Sequence, residues 1–186
     1  MGECSVDNNG AEKWIEHYSS SHKILVGEGD FSFASCLAKA FGTAANMIAI
    51  SFHSKEVLMN KYPNAMTNLK ELEELECTVL HDVDAHAMNR QPLLHSKLFD
   101  RIVFNFPHDG FIWPENDKRQ IKLHRKLVRG FLGSAIDMVK KNGEIHITHK
   151  TAHPCNKLEV AELAEEIGAC SRTTKPEFFF DGLKHK

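Results

Sequence analysis

Five short apolar runs rich in β-branched residues recur along the chain: KILVG at Lys23–Gly27, MIAISF at Met47–Phe52, CTVLH at Cys77–His81, RIVFNF at Arg101–Phe106 and EIHIT at Glu144–Thr148. Most are apolar at nearly every position rather than at every second one. Strands buried on both faces of a parallel sheet have that pattern. Between the runs, apolar positions step by three or four. Phe31–Phe41 reads as a short helix closed by Gly42. Ser54 stands as the N-cap of a helix that runs to Tyr62, where Pro63 stops it. Leu69, Leu72 and Leu75 continue at helical spacing, and Ile121, His124, Val128, Leu132, Ala135 and Val139 mark a long helix closed by Gly143. Asn156 opens another, ending at Gly168. Strand and helix alternate, which predicts a doubly wound α/β sheet with helices on both faces.

Length and composition narrow the picture. At 186 residues the expectation is a polar N-terminal segment over residues 1–20 and a single domain over 21–186. With 42% hydrophobic and 26% charged residues, the composition is that of a soluble globular protein. No apolar run approaches the ~20 residues that span a bilayer, so no membrane partner is expected. The segment MGECSVDNNGAEKWIEHYSSS has no apolar stretch of the kind a secretory signal needs. Cys4, Cys36, Cys77, Cys155 and Cys170 are widely spaced and contain no CxxC, which fits a reducing compartment better than a disulfide scaffold. The net charge of −2 requires any nucleic-acid partner to be met by a local basic surface.

In open α/β sheets, ligands sit at the carboxyl ends of the strands near the point where strand order reverses. The first run delivers Gly27, Glu28, Gly29 and Asp30 there, the second His53 and Ser54, and the third Asp82 and Asp84. The fourth delivers Asn105, Pro107, His108 and Asp109, and the fifth His149 and Lys150. GEGD lacks the Gly-Lys-Ser/Thr of a P-loop, and Ser32 replaces the third glycine of a dinucleotide fingerprint. Its two acids repel a pyrophosphate but suit a cationic ligand such as S-adenosylmethionine. A tight strand-to-helix turn would use the same glycines. Asn105-Phe106-Pro107-His108 can present an amide, a stiff loop and a ring to a planar nitrogen substrate, or can be a plain loop exit.

Lys118, Arg119, Lys122, Arg125, Lys126 and Arg129 are interrupted by no acid. They form either a face for an RNA backbone or a solvated helix surface. His146, His149, His153 and Cys155 meet no tetrahedral ligand spacing, and no metal is expected.

GEGDFSFA at 27–34, YPNAMTNLKELEELECTVLHDVDA at 62–85, FDRIVFNFPHDGF at 99–111 and GEIHITHKTAHP at 143–154 resemble the family of 25S rRNA (uridine-N3)-methyltransferase-like proteins. The resemblance implies a mostly parallel, Rossmann-like sheet of the class I methyltransferase type. It also implies S-adenosylmethionine as methyl donor and N3 of a uridine in large-subunit ribosomal RNA as acceptor. On that pattern Gly27, Glu28, Gly29, Asp30 and Phe31 wrap the methionine end of the cofactor. His53 stands at the ribose, and Asp84 with Asp82 at the adenine amino group. Asn105, Pro107 and His108 face the target base, with His108 or Asp109 as the base that accepts the proton. The family carries an acid at the position of His53, and it closes the sheet with a C-terminal hairpin. Here SRTTKPEFFFDGLKHK supplies one strand, Lys175–Phe180, so the closing hairpin is expected to be missing. The expected partner is ribosomal RNA or a pre-ribosome, and the expected location the nucleus or nucleolus, with the cytoplasm as alternative. Two other functions stay open: a catalytically impaired relative that binds RNA or protein, and a methyltransferase for another planar acceptor.

Overall fold

Ile24 and Leu25 are 0% exposed because the first strand is paired on both edges and covered on both faces. The computed structural model describes Tyr18 and residues 21–110, 112–149 and 159–168. In chain order the elements are β1 (Lys23–Val26), α1 (Ser32–Phe41), β2 (Met47–Ile50), α2 (Lys55–Lys61), α3 (Ala65–Glu74) and β3 (Thr78–Leu80). A 3-10 turn (Met88–Arg90) follows, then β4 (Phe99–Asn105), α4 (Lys118–Met138), β5 (Val139–Thr148) and α5 (Val160–Glu166). The described strands form one sheet in the order β3-β2-β1-β4-β5. Every pairing is parallel: Leu25 lies opposite Ala49 on one side and Val103 on the other. The doubly wound α/β architecture expected from the alternating pattern is therefore present.

The two faces bury separate cores. Ile24, Val26, Ile102 and Phe104 pack with Val128, Phe131, Leu132 and Ala135 of α4 and with Leu163 of α5. Leu25, Ala49 and Val103 pack with Phe31, Leu37, Leu58 and Leu72 on the opposite face. Alternation along β1 sends neighbouring side chains to opposite cores, which is why the run reads as continuously apolar.

Three boundaries differ from expectation. Phe31 is the N-cap of α1 rather than its first residue, in the left-handed region at φ 61°. β3 shrinks to three partly exposed residues at the sheet edge. Most informative, α4 stops at Met138 and β5 starts at the next residue. Val139 is 9% exposed, so its apolar side chain satisfies the sheet as well as it would have continued the helix. Gly143 does not close a helix; it lies within β5, where a side chain would meet backbone. A Cβ there would stand 2.9 Å from the Phe99 carbonyl oxygen and 3.0 Å from that of Asp100, beside the irregular β4–β5 register between Phe99 and Arg101. Ser54 caps α2 as expected, accepting from the Val57 N–H at 3.4 Å.

The start of the last helix at Asn156, Lys150, the strand Lys175–Phe180 with the question of the hairpin, and the N-terminal segment apart from Tyr18 lie outside the described residues. No described helix is long and apolar enough to cross a membrane.

Gly143→Ala should lower stability by roughly 1–3 kcal/mol, the usual range for overpacking, because the groups it meets are the Val139 side chain and two carbonyls of the paired strand. Chemical denaturation measures this. An unchanged midpoint would show that β4 and β5 can separate there without loss.

Candidate functional site

Strand order reverses between β1 and β4, and the loops at their carboxyl ends surround a cavity of about 620 Å³. The β1 loop contributes Gly27, Glu28 and Gly29, the β2 end Ser51, Phe52 and His53, and the β3 exit Val83 to His86. The β4 loop contributes Asn105, Phe106, His108, Asp109 and Gly110, and the end of α2 contributes Lys61 and Tyr62 beside the β1 and β2 residues.

Gly27 is bare for a reason inside the protein. Its φ is +71°, and a Cβ would lie 2.2 Å from the ring of Phe104, which packs edge-on against Phe131 with ring centroids 5.0 Å apart. At Gly29 a Cβ would face the Tyr62 hydroxyl at 3.4 Å. Glu28 is buried. Its N–H donates to the Ile50 carbonyl at 3.0 Å, and its carboxylate accepts from the Ala34 N–H at 3.3 Å. Burial pushes this carboxyl up to about 7; the Ala34 N–H opposes the shift and nearby Asp30 adds to it. Asp30 and Phe31 do not line the cavity. The Asp30 carboxylate accepts from the Ser32 N–H at 3.0 Å, and its carbonyl accepts from the Asn68 amide at 2.8 Å. The Phe31 ring is fully buried, edge-on to His81. Both residues shape the turn into α1 instead of facing the cavity.

At the end of β2, Lys61 Nζ lies 3.3 Å from His53 Nε2. The ammonium can only donate, so Nε2 accepts and the ring proton sits on Nδ1. Burial and Lys61 hold His53 below its ordinary value, against the pull of Asp82. Asp82, at φ +55°, donates its N–H to the His53 carbonyl at 3.4 Å and is not among the lining residues. Asp84 is. Its carboxylate accepts from the backbone N–H of His86 at 2.9 Å and from the His86 ring at 2.8 Å. Burial pushes the Asp84 carboxyl up, but these two bonds and the charges of His86 and Lys126 outweigh it and hold the carboxyl low. The His86 ring in turn lies over Gly130 of α4, where a Cβ would come within 2.0 Å of it. Sequence reasoning passed over His86 and Gly130. The glycine inside an amphipathic helix was the available signal.

The β4 loop begins with half-buried Asn105 and then Phe106 at φ +49°, whose N–H donates to the Thr148 carbonyl at 2.7 Å. Phe31, Asp82 and Phe106 adopt left-handed backbone in the segments that follow strands β1, β3 and β4. Pro107 is buried and lies outside the lining. His108 and Asp109 line the cavity. Burial, Lys61 and His53 push His108 down, with Asp109 opposing. Behind the loop, the Asp109 N–H donates to His124 Nδ1 at 3.0 Å.

The basic helix face divides. Arg125 pairs with Glu159 and Arg129 with Glu166 at 2.7 Å, joining α4 to the region of α5. Arg119 pairs with Asp117 at 2.8 Å and lies over the Trp113 ring at 4.8 Å. Lys118, Lys122 and Lys126 are exposed. Of the histidines considered for a metal, His146 is buried between the Tyr18 hydroxyl at 2.7 Å and Glu144 at 2.8 Å.

Comparison with known proteins complements this geometry. The model of the BMT5-like family, rRNA (uridine-N3-)-methyltransferase BTM5-like, matches residues 24–181. An uncharacterized protein of Arabidopsis thaliana is 48% identical over 161 residues, 85% of this chain and 77% of that protein. The Arabidopsis thaliana heavy metal-associated isoprenylated plant protein 41 is 45% identical over 166 residues, covering 88% of this chain but 32% of that relative. The 25S rRNA (uridine(2634)-N(3))-methyltransferase of Saccharomyces cerevisiae is 26% identical over 136 residues, 62% of this chain and 40% of that enzyme. A putative rRNA-methylase from Clostridium thermocellum shares the fold, with a TM-score of 0.55 and 14% identity over 90% of this chain and 85% of its own.

Glu28 yields a pH-dependent test. A carboxyl raised from 4.5 to about 7 on folding destabilises the fold progressively as pH climbs through that window. The penalty is absent below the window and complete above it. Glu28→Gln keeps an acceptor for the Ala34 N–H and removes the charge, so it should raise the melting temperature above neutral pH, with the gain vanishing on acidification. A gain independent of pH, or a loss at alkaline pH, would contradict the assignment.

Proposed function

We propose that this chain, which belongs to the BMT5-like family of rRNA (uridine-N3-)-methyltransferases, transfers a methyl group from S-adenosylmethionine to N3 of a uridine in large-subunit rRNA. The observation that carries this reading is one cavity with two unlike sides. The glycine-loop side presents Glu28 and Asp84, and the β4-loop side presents Asn105, His108 and Asp109. A sulfonium and an ammonium fit the side that carries the Glu28 and Asp84 carboxyl groups.

On this reading Gly27 to Gly29 hold the methionine end of the cofactor, His53 the ribose and Asp84 the adenine amino group. S-adenosylmethionine, when bound, supplies an electrophilic methyl group on its sulfur. His53, accepting from Lys61 at Nε2, has Nδ1–H to donate to a single ribose hydroxyl. The imide nitrogen of uracil must lose its proton as the new bond forms. His108, held below its ordinary value by burial, Lys61 and His53, is a neutral imidazole at physiological pH and is the base we assign. Asn105 orients the uracil through its amide. N3 lies on the Watson–Crick edge, so the uridine reacts unpaired. The exposed rings of Phe52 and Phe106 at the cavity offer it stacking surface. Exposed Lys118, Lys122 and Lys126 are the cations we assign to the RNA backbone. An rRNA or pre-ribosome substrate would place the protein in the nucleus or nucleolus.

One observation favours a second reading. His53, tied to Lys61, offers the ribose one hydrogen bond where a carboxylate would offer two acceptors. A protein of this fold with weakened cofactor binding would then serve as an RNA- or protein-binding module.

The decisive experiment incubates the purified chain with S-adenosylmethionine and unmodified large-subunit rRNA, then identifies the nucleosides by mass spectrometry. N3-methyluridine is the expected product, and His108→Ala should slow its formation by ~10²-fold or more while cofactor binding persists. No methylated nucleoside from the unaltered chain, together with activity gained in His53→Asp, would establish the second reading.

A further inference from the structure

The loop that carries His108 and Asp109 is bound from behind by two side chains one helical turn apart on α4. Gln120 is 0% exposed, unusual for an amide. Its Oε1 accepts from the Ile112 N–H at 3.1 Å and the Trp113 N–H at 3.0 Å, while its Nε2 donates to the Gly110 carbonyl at 2.7 Å. These three contacts fix which end of the amide faces which way. At i+4, His124 accepts the Asp109 N–H on Nδ1 at 3.0 Å. Four backbone groups between Asp109 and Trp113 therefore depend on two side chains of a helix whose same buried stripe, further along, is locked into the sheet core through Val128, Phe131 and Leu132.

We infer that Gln120 and His124 are positioning residues for methyl transfer: they hold the loop after β4 so that His108 and Asp109 face the acceptor base. The inference rests on the function proposed above. Neither residue lines the cavity, so neither touches substrate or cofactor. Their influence passes through the backbone of the loop, and it belongs to the acceptor side alone. The cofactor side is built from the β1, β2 and β3 ends and does not share these contacts. In-line transfer is sensitive to misplacement of about 1 Å, which can slow a reaction by roughly 10²-fold, so releasing the loop should lower turnover before it affects cofactor affinity.

The test compares Gln120→Ala, His124→Ala and His124→Asn with the unaltered chain. Asn places an amide oxygen near the position of the lost Nδ1 and so preserves the acceptor for the Asp109 N–H. Expected results are a tenfold or larger fall in kcat for the two alanine variants, S-adenosylmethionine affinity within twofold of normal, and recovery of most of the loss in His124→Asn. Hydrogen exchange should show faster exchange at Asp109, Ile112 and Trp113 in the alanine variants while amides of β1 and β4 stay protected. A role in general stability alone would lower kcat and cofactor binding together, with no rescue by Asn, and would overturn the inference. So would alanine variants whose kcat equals that of an active unaltered chain. If the unaltered chain transfers no methyl group, the functional reading fails, and this inference fails with it.

Discussion

The ring of Phe104 occupies the space where a side chain on residue 27 would stand, and the carboxyl rim is built around that contact. β1 and β4 are neighbours at the switch point, and their ends can close together only if one contributes bulk and the other none. Phe104 supplies the bulk, held edge-on by Phe131 of α4. Gly27 supplies the gap and, at positive φ, turns the chain so that Glu28 points back beneath the start of α1. The glycine loop is thus first a packing solution, and the cavity is what remains beside it. Any ligand the loop cradles uses backbone that the core had already stripped bare.

From this constraint the polar chemistry sorts itself by side. The acids Glu28 and Asp84 line the portion reached from β1 and β3, with His53 at the end of β2 between them in strand order, whereas His108 lies on the β4 loop, where burial, Lys61 and His53 all lower it. Burial and Lys61 lower the two histidines, and burial raises Glu28 to about 7. The resting cavity is therefore less charged than its residue types imply. A cationic ligand would draw the Glu28 proton off, and a neutral imide would meet a histidine able to accept one.

Much of this was legible in the sequence, for identifiable reasons. The five strands showed because burial on both faces leaves no polar position in Ile24–Val26 or Ile102–Phe104. The rim residues followed because parallel strands all deliver their exits to one edge. What stayed hidden depends on contacts between distant residues. Val139 is apolar whether it ends a helix or starts a strand, and its place in the sheet shows only in its pairing with Phe99 of β4, 40 residues earlier in the chain. Asp30 and Phe31 sit beside the loop's glycines in sequence, yet local hydrogen bonding and core burial turn them away from the cavity. The stripe of cations on α4 looked uniform, but Glu159 and Glu166, 34 and 37 residues away, take up Arg125 and Arg129. Gln120 gave no periodic signal, because an amide on a helix reads as surface until the loop it holds is known.

Calorimetric titration of the purified chain with S-adenosylmethionine tests the central claim most directly, that the β1–β4 cavity is a cofactor site for a cationic ligand. One saturable site is expected. Its heat should vary with the ionisation enthalpy of the buffer near neutral pH, because binding beside Glu28 expels a proton, and Glu28→Gln should abolish that variation. Absence of binding at millimolar ligand, with the fold intact by circular dichroism, would contradict the claim.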